Sequence, residues 1–275
     1  MPRSGSMMMS FPPFAGMVRK LILVNVAIYF LLLVLGWIVR GVASSILGLC
    51  ALTPGMVTHG YLWQVVTYSF IHVGIWSIVI NMLSLWFVGA YMEVIYGTRW
   101  ITELYFVSVI GAALTTIVVS YTGIFHLTPM ATTFGAMGGV FGLLAAFGTL
   151  MGDQEFLLFP LPISIRAKYL VLIYLLIAVA MLMQGPSGFA YLAYLGGALF
   201  GYLYAKMAPR KGFSVALSKQ AYGMRNSYYR SKRQRAARKF EVYMRKHNRD
   251  VKFDDQGHYI DPDKDRDPSD RKWMN

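Results

Sequence analysis

Cysteine is almost missing. Cys50 stands alone among 275 residues, which excludes an intrachain disulfide scaffold and says little about compartment. Charge is scarce as well: Asp, Glu, Lys and Arg make up 14% of the chain, against roughly 25% in soluble globular domains. An ordinary soluble enzyme is therefore excluded, and a hydrophobic content of 56% excludes disorder over most of the length. The sequence has no internal repeat, no Walker-type loop and no HExxH. His59, His72, His126, His247 and His258 show no metal-ligand spacing, so no metal or other cofactor is expected.

What charge there is lies at one end. Residues 1–205 hold seven Lys/Arg and four Asp/Glu, whereas residues 206–275 hold nineteen and nine, so most of the net +13 belongs to the tail. An apolar block ending in a basic extension reads as a polytopic membrane protein. Six stretches come close to the about 20 apolar residues that cross a bilayer: approximately 18–39, 75–95, 101–121, 135–151, 168–184 and 188–207. The first follows Arg19 and Lys20 but is too long, and lacks the small-residue cleavage site, for a cleaved signal peptide. The plan is thus a segment 1–17, a membrane domain 18–207 and a basic tail 208–275. An all-α membrane protein with a six-transmembrane-helix bundle follows.

Positive residues mark the cytoplasmic connections of membrane proteins. Arg3, Arg19 and Lys20 precede the first span, Arg99 separates the second and third, Arg166 and Lys168 the fourth and fifth, and the basic tail follows the sixth; the other connections hold only Arg40. Both termini are assigned to the cytoplasm. The long apolar connection 40–74, with Trp63, is expected in the membrane interface. In the tail, SKRQRAARKFEVYMRKHNR has the composition of a basic helix and DPDKDRDPSDRKWMN that of a disordered end. The basic run serves as a topology determinant, as a contact for anionic lipid headgroups or, least expected, as a contact for RNA.

A site is expected where three spans converge. The fourth span is short, about 24 Å at 1.5 Å per residue, so its N-terminus begins below the outer surface. The uncharged loop before it contains Gly135, Gly138 and Gly139, and irregular backbone at membrane depth must be buried in protein or line a wet cavity. On the same rise Asn81 lies about 13 Å deep and Tyr194 about 10 Å deep, level with that N-terminus. An Asn inside an apolar span needs a hydrogen-bond partner, and a helix N-terminus offers free N–H groups to a developing negative charge. An Asn that merely ties two helices together fits the same pattern. Gly138 and Gly142 on the fourth span, and Gly197 and Gly201 on the sixth, form matching small faces that predict close backbone approach.

The successive segments WQVVTYSFIH, NMLSLWFVG from Asn81, GAMGGVFGLLAAFG, LFPLPISIRAKYLV and AYLGGALFG resemble, in order, the landmarks of the rhomboid intramembrane serine proteases over residues 18–207. That resemblance implies a Ser–His dyad cutting membrane-anchored substrates, with the serine in a Gly-x-Ser-Gly turn and the histidine in an Ala-His-x-x-Gly-x-x-x-Gly run. Here the turn reads Gly135-Ala136-Met137-Gly138 and the run begins Ala193-Tyr194. Met137 and Tyr194 therefore stand at the dyad positions. The family's His-x-x-x-Asn, which helps stabilise the oxyanion, reads Ser77 to Asn81, and His72 matches a family histidine taken as structural.

A thioether cannot form an acyl intermediate, and a phenol of ordinary pKa near 10 is a poor base at neutral pH. Thr132, Thr133 and His126 are near enough in sequence to be considered as a relocated pair, but nothing in their spacing supplies a fixed base. The expectation is a rhomboid-like pseudoprotease, not an enzyme, whose partners are membrane lipid, transmembrane helices of client proteins and anionic headgroups at the tail, with no nucleic acid. Its alternative is an active intramembrane serine endopeptidase. A third reading, local bilayer thinning, rests on the short fourth span alone. The compact six-span form suggests a bacterial inner membrane.

Overall fold

A computed structural model describes residues 12–39, 41–124, 127–157, 164–184, 188–208, 212–247, 251–254 and 258–260. Its architecture is an apolar helical bundle. Helix α1 spans Gly16–Ile38. The long connection that follows carries α2 (Val42–Cys50), α3 (Pro54–Thr58), α4 (Gln64–Thr67) and a 3-10 turn at Tyr68–Phe70. Next comes one continuous helical rod, α5 (Ile75–Ser84), a π-helical stretch at Leu85–Ala90 and α6 (Tyr91–Tyr96). Helices α7 (Thr98–Ser120), α8 (Met137–Leu150), α9 (Ala167–Leu182) and α10 (Phe189–Met207) complete the bundle. Among the described residues, Gly16–Ile38, Ile75–Tyr96 and Thr98–Ser120 are long and apolar enough to cross a membrane by themselves, and α8 and α9 are shorter apolar helices.

Local sequence accounts for several boundaries. Gly97, at φ 86°, ends α6 and starts α7 in a one-residue reversal, a backbone conformation that side chains with a Cβ resist. Helix α8 stops at Leu150, earlier than its apolar run, and its 14 residues span only about 21 Å at 1.5 Å per residue. All residues from Gly138 to Phe147 are buried, as befits a helix that is apolar on every side. Helix α10 and helix α7 pack around it.

Glu93 of α6 ties the start of α1 to the second rod. Its carboxylate accepts the Met17 N–H at 2.7 Å and the Val18 N–H at 3.0 Å, two of the donors that a helix N-terminus leaves without intrahelical partners. A negative group there also suits the helix dipole.

Among the described residues strand is confined to two small antiparallel pairs, β1 (Glu155–Leu157) with β2 (Ser164–Arg166), and β3 (Lys252–Phe253) with β4 (Tyr259–Ile260). The chain divides into compact units Met1–Phe213 and Ser214–Asn275. In the second, helix α11 (Phe213–Lys246) carries most of the basic run, and Ala237, Phe240 and Met244 line a cavity with Val251, Phe253 and Tyr259. The acidic finish 261–275 lies outside the described residues, as do Arg3, Arg40 and His126.

Candidate functional site

The loop before α8 is held from three directions. The Thr133 N–H and carbonyl exchange two 2.9 Å hydrogen bonds with Leu52, the Thr132 hydroxyl lies 3.0 Å from that of Thr53, and the Gly135 N–H donates to the Tyr68 carbonyl at 2.9 Å. Gln64 organises the supporting loop: its Oε1 accepts the Thr53 N–H at 3.0 Å and its Nε2 donates to the Leu49 carbonyl at 3.2 Å. Tyr68 then joins that platform to the bundle, donating its hydroxyl to the Val109 carbonyl of α7 at 2.9 Å. Burial pushes the Tyr68 phenol above its ordinary value. Residues 49–68 thus supply a hydrogen-bonded cradle for the start of α8. The uncharged polar side chains of Gln64, Thr53 and Tyr68 were its available signal, but no periodicity places them.

This cradle delivers Met137 as the first residue of α8, with Gly135 turned to φ 108° just before it. Met137 and Tyr194 are both half-buried, and both pack against the cluster of Phe141, Ala145, Ala178 and Ala198. The Tyr194 ring stacks on Phe141 with centroids 5.1 Å apart and meets Tyr191 edge-on at 5.1 Å. The seam is therefore an aromatic and thioether surface. Close approach is made by glycine: a methyl on Gly197 would collide with the Gly138 carbonyl, and one on Gly201 with the backbone of Gly142. Gly138 in turn leaves only 2.8 Å between such a methyl and the Ala112 side chain of α7.

Asn81 and Ser77 lie on α5 beside this turn. Asn81 is buried, and its Nδ2 donates to the Ser77 carbonyl at 2.7 Å, which commits one of its two N–H groups within its own helix. Its Oδ1 has no protein partner and lies 3.8 Å from where a Cβ on Gly135 would sit. An oxyanion needs donors; this Asn has one N–H committed to Ser77 and its oxygen beside the Gly135 turn. His72 is also buried, and neither ring nitrogen makes a hydrogen bond. Burial holds its imidazole below the ordinary value, against weaker opposite influences from the Phe70 backbone and the Asn81 side chain. Buried polar atoms of this kind are costly without a partner and are common water sites. Thr133 is buried in its backbone bridge, and His126 lies outside the described residues. Among the described residues no group of three or more His, Cys, Asp or Glu side chains is placed to hold a metal.

An apolar bundle with a buried glycine seam and a polar recess is the architecture of an intramembrane helical protein. The Rhomboid domain model matches residues 59–211, and the chain belongs to the rhomboid family. It is 30% identical over 141 residues to Rhomboid protein 1, mitochondrial, of Saccharomyces cerevisiae, a match covering 51% of this chain and 40% of that protein. It is 26% identical over 186 residues to Rhomboid-like protein 19 of Arabidopsis thaliana, covering 66% of this chain and 60% of the relative. A third match, RHOMBOID-like protein 1 of Arabidopsis thaliana, is 35% identical over 97 residues, 35% of this chain and 23% of that protein. The chain therefore spans less than two thirds of each of these relatives. The protein is an integral membrane protein of rhomboid fold.

Proposed function

We propose that this rhomboid is a pseudoprotease that binds transmembrane segments of client proteins without cutting them. The observation that carries the reading is the pairing of Met137 with Tyr194 on one packed surface, at the positions where the family resemblance puts its serine and histidine. Met offers no hydroxyl or ionisable nucleophile, and one of the two Asn81 N–H groups is engaged by the Ser77 carbonyl. What remains is suited to recognition: aromatic and thioether surface for an apolar helix, with the Asn81 and His72 acceptors beside it for a polar group or water.

Both termini on the cytoplasmic side, a bacterial plasma membrane and anionic-lipid contact by α11 belong to the same proposal. The orientation draws on the Lys/Arg distribution; the bacterial assignment draws nothing from the named relatives, which come from yeast and a plant. Reporter fusions that put residue 126 or 186 in the cytoplasm would reverse the orientation.

The direct test uses purified protein in liposomes with a fluorophosphonate probe and a single-span substrate. The expected result is neither labelling nor cleavage, together with capture of single-span proteins by a photoreactive residue at 137 or 194 in native membranes. Cleavage by the unmodified chain would replace this reading with its rival, an active serine endopeptidase. Met137→Ser or Tyr194→His alone should restore nothing, because members of a dyad act as a unit. The two together, aided by Ser77→His, ask whether the scaffold still orients the chemistry; the missing donor at position 77 costs on the order of 100-fold to 1,000-fold.

A further inference from the structure

Adjoining the cluster on which Met137 and Tyr194 pack, helices α8, α9 and α10 enclose an open groove of about 410 Å³. Its walls are Ala145 and Gly148 of α8, Val171 and Leu175 of α9, and Ala198 and Leu199 of α10. Its polar lining, Thr149, Lys168 and Tyr202, is gathered at one end, where α8 finishes, α9 begins and α10 enters its last turns. That end lies at the membrane boundary whichever side it faces. The lining is therefore graded, apolar in the membrane and cationic at its edge.

Charge at that edge favours an anion. Asp153 binds Lys168 at 2.7 Å, which leaves two of that ammonium's three donors for a further acceptor. Lys206 adds a further ammonium 5.1 Å from the centroid of the Tyr202 ring, with no ion pair among the described residues. At about 410 Å³ the groove takes about one turn of a helix, 10–12 Å across with a 5.4 Å pitch, which suits a slimmer acyl chain better than a client helix.

We infer that the groove is a binding site for one anionic glycerophospholipid, its acyl chain between α9 and the α8–α10 pair and its phosphate at Lys168, Lys206 and the Tyr202 hydroxyl. Anionic headgroups gain from such lysines at a membrane surface, and the chain replaces the helix contact that α9 lacks on this side.

The experiment places the full chain in nanodiscs of phosphatidylcholine with and without phosphatidylglycerol, each lipid in turn carrying a diazirine on its acyl chain, and maps the crosslinked peptides. Crosslinks should concentrate on the groove residues of α8, α9 and α10 and favour phosphatidylglycerol. Lys206→Gln should lower that preference about fivefold. Leu199→Trp, at a half-exposed rim position, should remove most of the crosslinking. Ala198→Phe is the stronger plug, but Leu199→Trp decides the matter if that variant unfolds. Crosslinks spread equally over the exposed faces of α1 and α7, or unaffected by Leu199→Trp, would overturn the site. Equal capture of the two lipids would overturn its anionic character. A photoreactive residue at 199 that captures protein instead of lipid would reassign the groove to a client helix.

Discussion

Helices α8 and α9 are both short and apolar, 14 and 16 residues long, yet they occupy opposite environments. Helix α8 is buried along its length, whereas α9 buries only Ala167, Val171, Ala178 and Leu182 and turns Leu172, Leu176 and Ile177 outward. Hydrophobicity does not separate them, because lipid tails are as apolar as leucine and give no hydrophobic reason to pack. Residue size does. Helix α8 offers Gly138, Gly139, Gly142, Ala145 and Ala146 to its neighbours, so backbone meets backbone and dispersion contacts accumulate. Helix α9 presents long side chains and settles at the edge.

The contrast can be broken first at the seam. Gly201→Leu should destabilise the bundle by about 3 kcal/mol or more, since overpacking against backbone has no flexible neighbour to give way. An unchanged thermal transition in detergent would dissolve the distinction between the two helices. Smaller in effect, Glu93→Ala should cost about 2 kcal/mol by stranding the Met17 and Val18 N–H groups, and hydrogen exchange should show the start of α1 opening before the seam does. If that end of α1 kept its protection, the carboxylate cap would have no energetic weight.

Acidification tests the recess beside the seam. Because burial depresses the His72 pKa, the unfolded chain binds a proton that the folded chain resists. Stability should accordingly be intact above the unfolded value near 6.5 and fall as pH drops below it, by at most about 1.4 kcal/mol per pH unit. His72→Gln should flatten the transition temperature between pH 7 and 5; an equally steep loss in that variant would assign the effect elsewhere. The smallest change is expected from Leu176→Ala on the outer face of α9, within about 0.5 kcal/mol, and a loss comparable to that of Gly201→Leu would show α9 to be as tightly packed as α8.

Much of this division could be read before any coordinates. Runs of apolar residues located the helices within a few positions, and the spacing of Gly138, Gly142, Gly197 and Gly201 named faces fit for close approach. Such patterns are local, set by rise per residue and by which residues lack a Cβ. The basic run likewise announced α11 by composition, though not the β3–β4 pair that follows it. Gln64, Tyr68 and Glu93 were silent, because a single polar residue in an apolar stretch carries no address for its partner.

The sequence by itself determined that this chain lives in a membrane and that its helices are those of a rhomboid, and its resemblance set the expectation that Met137 and Tyr194 stand at the dyad positions. Only the tertiary structure decided that Asn81 turns one N–H back to Ser77, that Glu93 reaches the Met17 and Val18 amides, and that α9 leaves a graded groove beside α8 and α10. Those facts depend on which atoms meet across 4 to 76 residues of chain, and hydrogen bonding and van der Waals contact are decided at ångström separations that residue type and spacing do not specify.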